Sequence, residues 1–146
     1  MNKRRISRPL KQLVKERAHS CCEYCISQEA YSPDPFSNEH IIPIASGAWP
    51  AGGNLALACQ GCNNFKYNKT SATDPVTLQE ARLFNPRKDR WHDHFEWSRD
   101  CAELIGLTPT GRATIQELQL NRANVVNLRR VLILVGGHPP SHRPSS

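Results

Sequence analysis

The chain has 146 residues, 38% hydrophobic and 22% charged, with a formal net charge of +6. That length suits one domain able to bury a core without covalent staples. No apolar run approaches the ~18 residues needed to cross a bilayer, and the basic N-terminus lacks the apolar centre of a secretion signal. These features point to a cytoplasmic protein with no membrane partner.

The charge is uneven. Residues 1–20 carry seven basic side chains, Lys3, Arg4, Arg5, Arg8, Lys11, Lys15 and Arg17, against one acid, Glu16. The remaining residues carry twelve of each sign, so the whole excess lies in the N-terminal arm. A basic arm on a neutral body suits a polyanion, because neutralising phosphates releases counterions. A solvated tail has the same composition.

In chain order, Leu10, Leu13, Val14 and Arg17 recur at helical spacing behind Pro9 and predict a short helix over 9–19. Residues 26–37 are loop chemistry. Alternation from Phe36 to Ile44 predicts a strand around 37–42, ended by Pro43. Residues 45–54, with Gly47, Pro50, Gly52 and Gly53, read as a long turn. Asn54 to Cys59 reads as a second strand, 63–69 as the first turns of a helix, and 70–77 as a turn around Pro75. Further on, Phe95–Trp97 and 102–107 are expected to pair as strands. Residues 106–111 read as a turn, and 112–119 and 123–135 as helices. In the last helix Val125, Leu128, Val131, Leu132 and Val135 share a face, with Arg129 and Arg130 pointing elsewhere. No internal repeat is visible.

Six cysteines without a secretion signal argue against a disulfide framework. Cys22-x2-Cys25 and Cys59-x2-Cys62 provide four sulfurs from two tight turns, the set that holds structural Zn²⁺ tetrahedrally. Cys21 is an alternative to Cys22, though its x3 spacing is the less common turn. The ion would brace a two-stranded hairpin that is marginal alone. Trp91-His92-Asp93-His94 also holds two histidines, but at i, i+2 with no further ligand, and Trp91, Phe95 and Trp97 read as core.

A four-sulfur zinc is closed to water, so any chemistry needs other groups. His40 can take a proton near neutral pH. By alternation Glu39 faces the other way. Asn63 offers an amide oxygen for a hard cation, or a helix cap. Glu39 and Asn63 together suit Mg²⁺ or Mn²⁺. Lys66 can meet a phosphate, and Asn54 can hold His40. Each residue also has a structural reading: a core histidine, a cap, a solvated lysine.

The run Cys-x2-Cys, Glu-His-Ile-Ile-Pro, Gly-Asn-Leu and Cys-x2-Cys-Asn-x2-Lys, over residues 22 to about 70, resembles the HNH endonucleases. The spacing of His40, Asn54, Asn63 and Lys66 is similar to that in the HNH domain of the CRISPR RNA-guided nuclease. Less specifically, 82–134 resembles the C-terminal region of small bacterial HNH proteins. The resemblance implies an α+β protein with a small ββα-metal core. That core would be stapled by a four-cysteine zinc, with an N-terminal helix and a C-terminal α/β extension. The expected organisation is a basic arm over 1–20, the core over 21–78, the extension packed on it over 79–136, and a disordered tail over 137–146.

The family's roles would pass residue by residue. His40 would activate water, and Asn54 would orient it through the loop. Asn63 stands where the family often has its final histidine, and Glu39 where aspartate is more usual. Both would hold one catalytic Mg²⁺ or Mn²⁺, which would offset charge on the phosphate and the leaving 3′ oxygen as the bond breaks. Lys66 would assist, and Lys3, Arg4, Arg5, Arg8, Lys66 and Lys69 would contact DNA, double-stranded for preference. A zinc-stabilised nucleic-acid-binding module without cutting activity is the alternative, and a zinc-stabilised interaction domain a third.

Overall fold

The computed structural model describes residues 5–43 and 52–141. Lys3, Arg4, most of the turn expected over 45–54 and the end of the expected tail lie outside them. Among the described residues no helix is long and apolar enough to cross a membrane.

Helix α1 spans Arg8–Arg17. Ser7 caps it, its Oγ accepting from Leu10 N at 3.3 Å, and Pro9 sits in its first turn, where a missing N–H costs nothing. It buries Val14, with Ala18 just beyond. Strand β1, Ser37–His40, pairs antiparallel with β2, Leu55–Ala58, placing Glu39 opposite Ala56 and His40 opposite Leu55. All four residues of β2 are buried. Helix α2, Gln60–Lys66, follows directly.

The expected order of strand, long connection, strand and helix is therefore present, with shifted bounds. Helix α2 starts at Gln60 rather than at 63, because Cys59 is its cap: the thiol sulfur accepts from Cys62 N at 3.4 Å. It ends at Lys66, where Tyr67 takes a left-handed φ of 49°.

The turn expected over 70–77 needs correcting. Ser71–Thr73 is a strand, β3, paired with β4, Glu80–Arg82. The turn is confined to the tip between them. Asp74 builds it by accepting from Val76 N, Thr77 N and Thr77 Oγ1, while Arg112 grips both its oxygens at 2.9 Å. After the short helix α3, Trp91–His94, strand β5, Phe95–Trp97, pairs with β6, Leu104–Gly106, as expected.

Helix α4, Pro109–Glu117, begins inside the stretch expected to be a turn, because Thr108 caps it through Gly111 N at 3.0 Å. Gly111 is obligatory: a Cβ there would fall 2.1 Å from the His94 carbonyl oxygen. Helix α5 spans Ala123–Leu134. Its buried face is Val125, Val126, Arg129 and Leu132, whereas Val131 and Val135 are exposed. This reverses the expected place of Arg129. Its guanidinium donates to the carbonyls of Cys25, Ala102 and Leu120 and to Asn121 Oδ1, at 2.9–3.1 Å. A buried cation is tolerable when such acceptors surround it.

Trp91 and Phe95 are 1% exposed, in the core as expected. The start of the expected disordered tail needs correcting: Gly137 O accepts from Gln28 Nε2 at 2.6 Å, and buried His138 hydrogen-bonds Cys101 O at 2.9 Å.

Candidate active site and metal centre

The sulfurs of Cys22, Cys25, Cys59 and Cys62 all lie within 4.8 Å of one another, and all four residues are buried. Cys25 Sγ and Cys59 Sγ are 3.7 Å apart. A tetrahedral ion with bonds of ~2.3 Å needs sulfurs about 3.8 Å apart, so the set fits Zn²⁺. Cys22, not Cys21, completes it; the Cys21 thiol donates to His19 O at 3.4 Å. Hydrogen bonds from Cys22, Cys59 and Cys62 hold the Cys25 thiol well below its ordinary pKa. Among the described residues no other cysteine, histidine or carboxylate group forms a cluster of three. His94 instead pairs its Nδ1 with Thr108 Oγ1 at 2.6 Å.

His40 ends β1, half-buried, with Nε2 shielded from solvent and without a hydrogen-bond partner among the described residues. Burial lowers its pKa from 6.5, so the ring is neutral at neutral pH. Asn38, on the same face of the strand, carries a second buried atom, Oδ1, without a partner among the described residues. Asn54 holds the strand's exit: its Oδ1 accepts from Ile42 N and its Nδ2 donates to Ile42 O, both at 2.9 Å. Asn54 O also accepts from Ile41 N at 3.0 Å. The backbone immediately after His40 is thereby pinned from across the long connection.

Glu39 takes the opposite face and is not free. Lys66 Nζ lies 2.6 Å from its Oε1, and the Tyr24 hydroxyl donates to its Oε2 at 2.7 Å. The Lys66 and Glu39 side chains are 1% and 3% exposed. Lys66 Nζ also donates to Ile41 O at 2.7 Å. Burial raises the Glu39 carboxyl, and Lys66 and then Tyr24 pull it back. Two expectations change. Lys66 is a buried strut, not a phosphate contact. Glu39 and Asn63 are not a preformed cage for a cation, because both Glu39 oxygens are engaged. Asn63 is not the helix cap either, since Cys59 is. It sits half-buried within α2, one turn before Lys66, with no side-chain hydrogen bond to another described residue.

Of the expected DNA contacts, Arg5 and Arg8 are exposed. Lys69 is 44% exposed and paired with Glu117 at 2.6 Å. Arg17 donates to Leu55 O at 2.8 Å, and Leu55 is the residue paired with His40. The basic helix is therefore fixed beside the imidazole's strand. Lys66, Ile41 and Ile42 also line a cavity of about 410 Å³ walled by Leu83, Phe84 and Lys88, so the C-terminal extension packs against the exit of β1.

Three residues were missed in the sequence: Tyr24, Arg17 and Arg122, whose guanidinium reaches the sulfurs of Cys59 and Cys62. Tyr24 carried a faint signal, being an aromatic inside a cysteine turn. Arg17 carried a weak one, sharing the predicted helix face of Leu10, Leu13 and Val14, and Arg122 carried none.

Residues 22–69 match the family model for HNH endonuclease. The match takes in both cysteine pairs, the first hairpin and α2. No curated protein and no solved structure matches the chain.

Proposed function

From an HNH domain that keeps a neutral imidazole at the end of its first strand, we propose that the protein is an endonuclease hydrolysing DNA phosphodiester bonds. The observation that carries this reading is the His40 ring. Its Nε2 is buried and has no partner among the described residues, its pKa is lowered, and the backbone behind it is pinned by Asn54. A buried nitrogen without a partner is costly unless it serves a ligand or water. As general base, His40 takes a proton from the water that attacks phosphorus, a contribution of roughly 10²–10⁴-fold. Asn54 is the positioning residue. The cysteine cluster holds structural zinc and takes no part in the reaction.

DNA meets the exposed basic face of α1, with Arg8, Lys11 and Lys15, which Arg17 fastens to the strand pair carrying His40. Double-stranded DNA in the cytoplasm is the substrate this reading favours. Mg²⁺ or Mn²⁺ dependence is a separable part of it. Asn63 offers an amide with no side-chain hydrogen bond to another described residue. Glu39 becomes a ligand only if Lys66 releases it.

One observation favours a second reading, a DNA-binding module without cutting activity: the Glu39–Lys66 pair occupies the carboxylate that a catalytic cation needs. Supercoiled plasmid incubated with pure protein in EDTA, Mg²⁺, Mn²⁺ or Zn²⁺, with His40→Ala alongside, separates the two. Nicking by the native chain and not by the variant supports the enzyme. Salt-sensitive binding without nicking in any metal leaves the binding module.

A further inference from the structure

From the C-terminal extension, Arg122 reaches the sulfurs of the cysteine cluster themselves. Arg122, between α4 and α5, directs Nη2 to Cys59 Sγ at 3.4 Å and Nη1 to Cys62 Sγ at 3.6 Å. Nη1 also donates to the carbonyls of Leu118 and Gln119, at 3.3 and 3.1 Å. The guanidinium lies 5.5 Å from the centre of the Phe65 ring. The chain makes room for it at Gly61, between the two cysteines, where a Cβ would come within 2.5 Å of Arg122 Nη2.

We propose that Arg122 is a positioning partner of the metal centre, clamping the Cys59 and Cys62 thiolates by N–H···S hydrogen bonds. This rests on the reading of the four cysteines as a zinc site. A divalent ion with four thiolates leaves two net negative charges in a buried place. A guanidinium is permanently cationic, and its planar fork can address two sulfurs at once. Charge-assisted bonds of this kind fix ligand orientation and offset the surplus charge. Loss of such outer partners typically weakens metal binding about 10–100-fold. The ion then closes three parts of the chain on one another: the N-terminal cysteine turn, the corner of hairpin and helix, and the extension.

The test uses the full chain as native protein, Arg122→Met, Arg122→Lys and Gly61→Ala. Zinc content is measured first, then affinity by competition with a chromogenic chelator, then the absorption of the Co²⁺-loaded forms. The native chain is expected to hold zinc, with Arg122→Met binding it about 10–100-fold more weakly and shifting the sulfur-to-cobalt charge-transfer band. Arg122→Lys falls between, because it keeps the charge and loses the fork. Gly61→Ala weakens binding although helix propensity alone favours alanine. If Arg122→Met does not fold, the other two variants decide. Native affinity and an unshifted cobalt band in the folded variants, with zinc present in the native chain, overturn the proposal. A native chain without zinc overturns the reading of the cluster itself.

Discussion

Lys66 and Glu39, 27 positions apart in the sequence, form a buried ion pair at 2.6 Å, joining the end of α2 to the strand that carries His40. Neither group can leave its partner without stranding a charge in the interior. Lys66→Met is expected to destabilise the fold by about 3–5 kcal/mol, and Glu39→Gln added to it to recover part of that loss. The pH sign is fixed by burial, which raises the Glu39 carboxyl. The folded chain then holds the proton more tightly than the unfolded one, most of all once Lys66 is gone. The variant's stability is fully present below the unfolded pKa, about 4.3, and falls as pH rises through the folded value. Urea midpoints at pH 5 and pH 8 check this: a variant no weaker at pH 8 than at pH 5 contradicts the account.

Burial lowers the His40 pKa, so the base form is populated below the range of a free imidazole. Single-turnover nicking is expected to fall on the acid side with a midpoint under 6.5. His40→Ala should bind plasmid as the native chain does and lose roughly 10²–10⁴-fold in rate. An acid midpoint above 6.5 would refute His40 as the base in this environment.

Asn54 makes two hydrogen bonds to Ile42, and each typically contributes about 0.5–1.5 kcal/mol. Asn54→Asp keeps the acceptor for Ile42 N and loses the donor to Ile42 O. Cutting should fall at unchanged DNA affinity, with the acid midpoint displaced because the strand exit behind the imidazole has loosened. A variant with native rate and native pH profile removes Asn54 from the positioning role.

Chelation of the cysteine-bound ion, or Cys59→Ser, should loosen residues 22–62 and lower the melting temperature, since metal binding and folding of such small sites are linked. Cys101→Ser is the control, as Cys101 lies outside the cluster. An unchanged melting temperature after complete zinc removal would disprove the brace.

The sequence displayed the parts of this arrangement that depend on spacing. Two CxxC turns converge because each presents two sulfurs from a tight loop, and the strand, connection, strand and helix follow from local alternation. Partnerships across the chain were not displayed. Nothing in Lys66 distinguishes a buried strut from a surface lysine until Glu39 and Tyr24 are seen around it. In the sequence the charge of Arg129 reads as exposure, whereas the carbonyls that welcome it come from Cys25, Ala102 and Leu120. Strand β3 was hidden by its polar residues, which pair over only three positions with β4.

Arg129 carries a practical consequence for anyone trimming this chain. Its fingers reach into the first cysteine turn from the last helix, so a fragment ending near residue 78 would bare the Cys25 carbonyl it caps. Such an excised piece is a damaged object rather than a miniature, and inactivity in it would say nothing about the intact molecule.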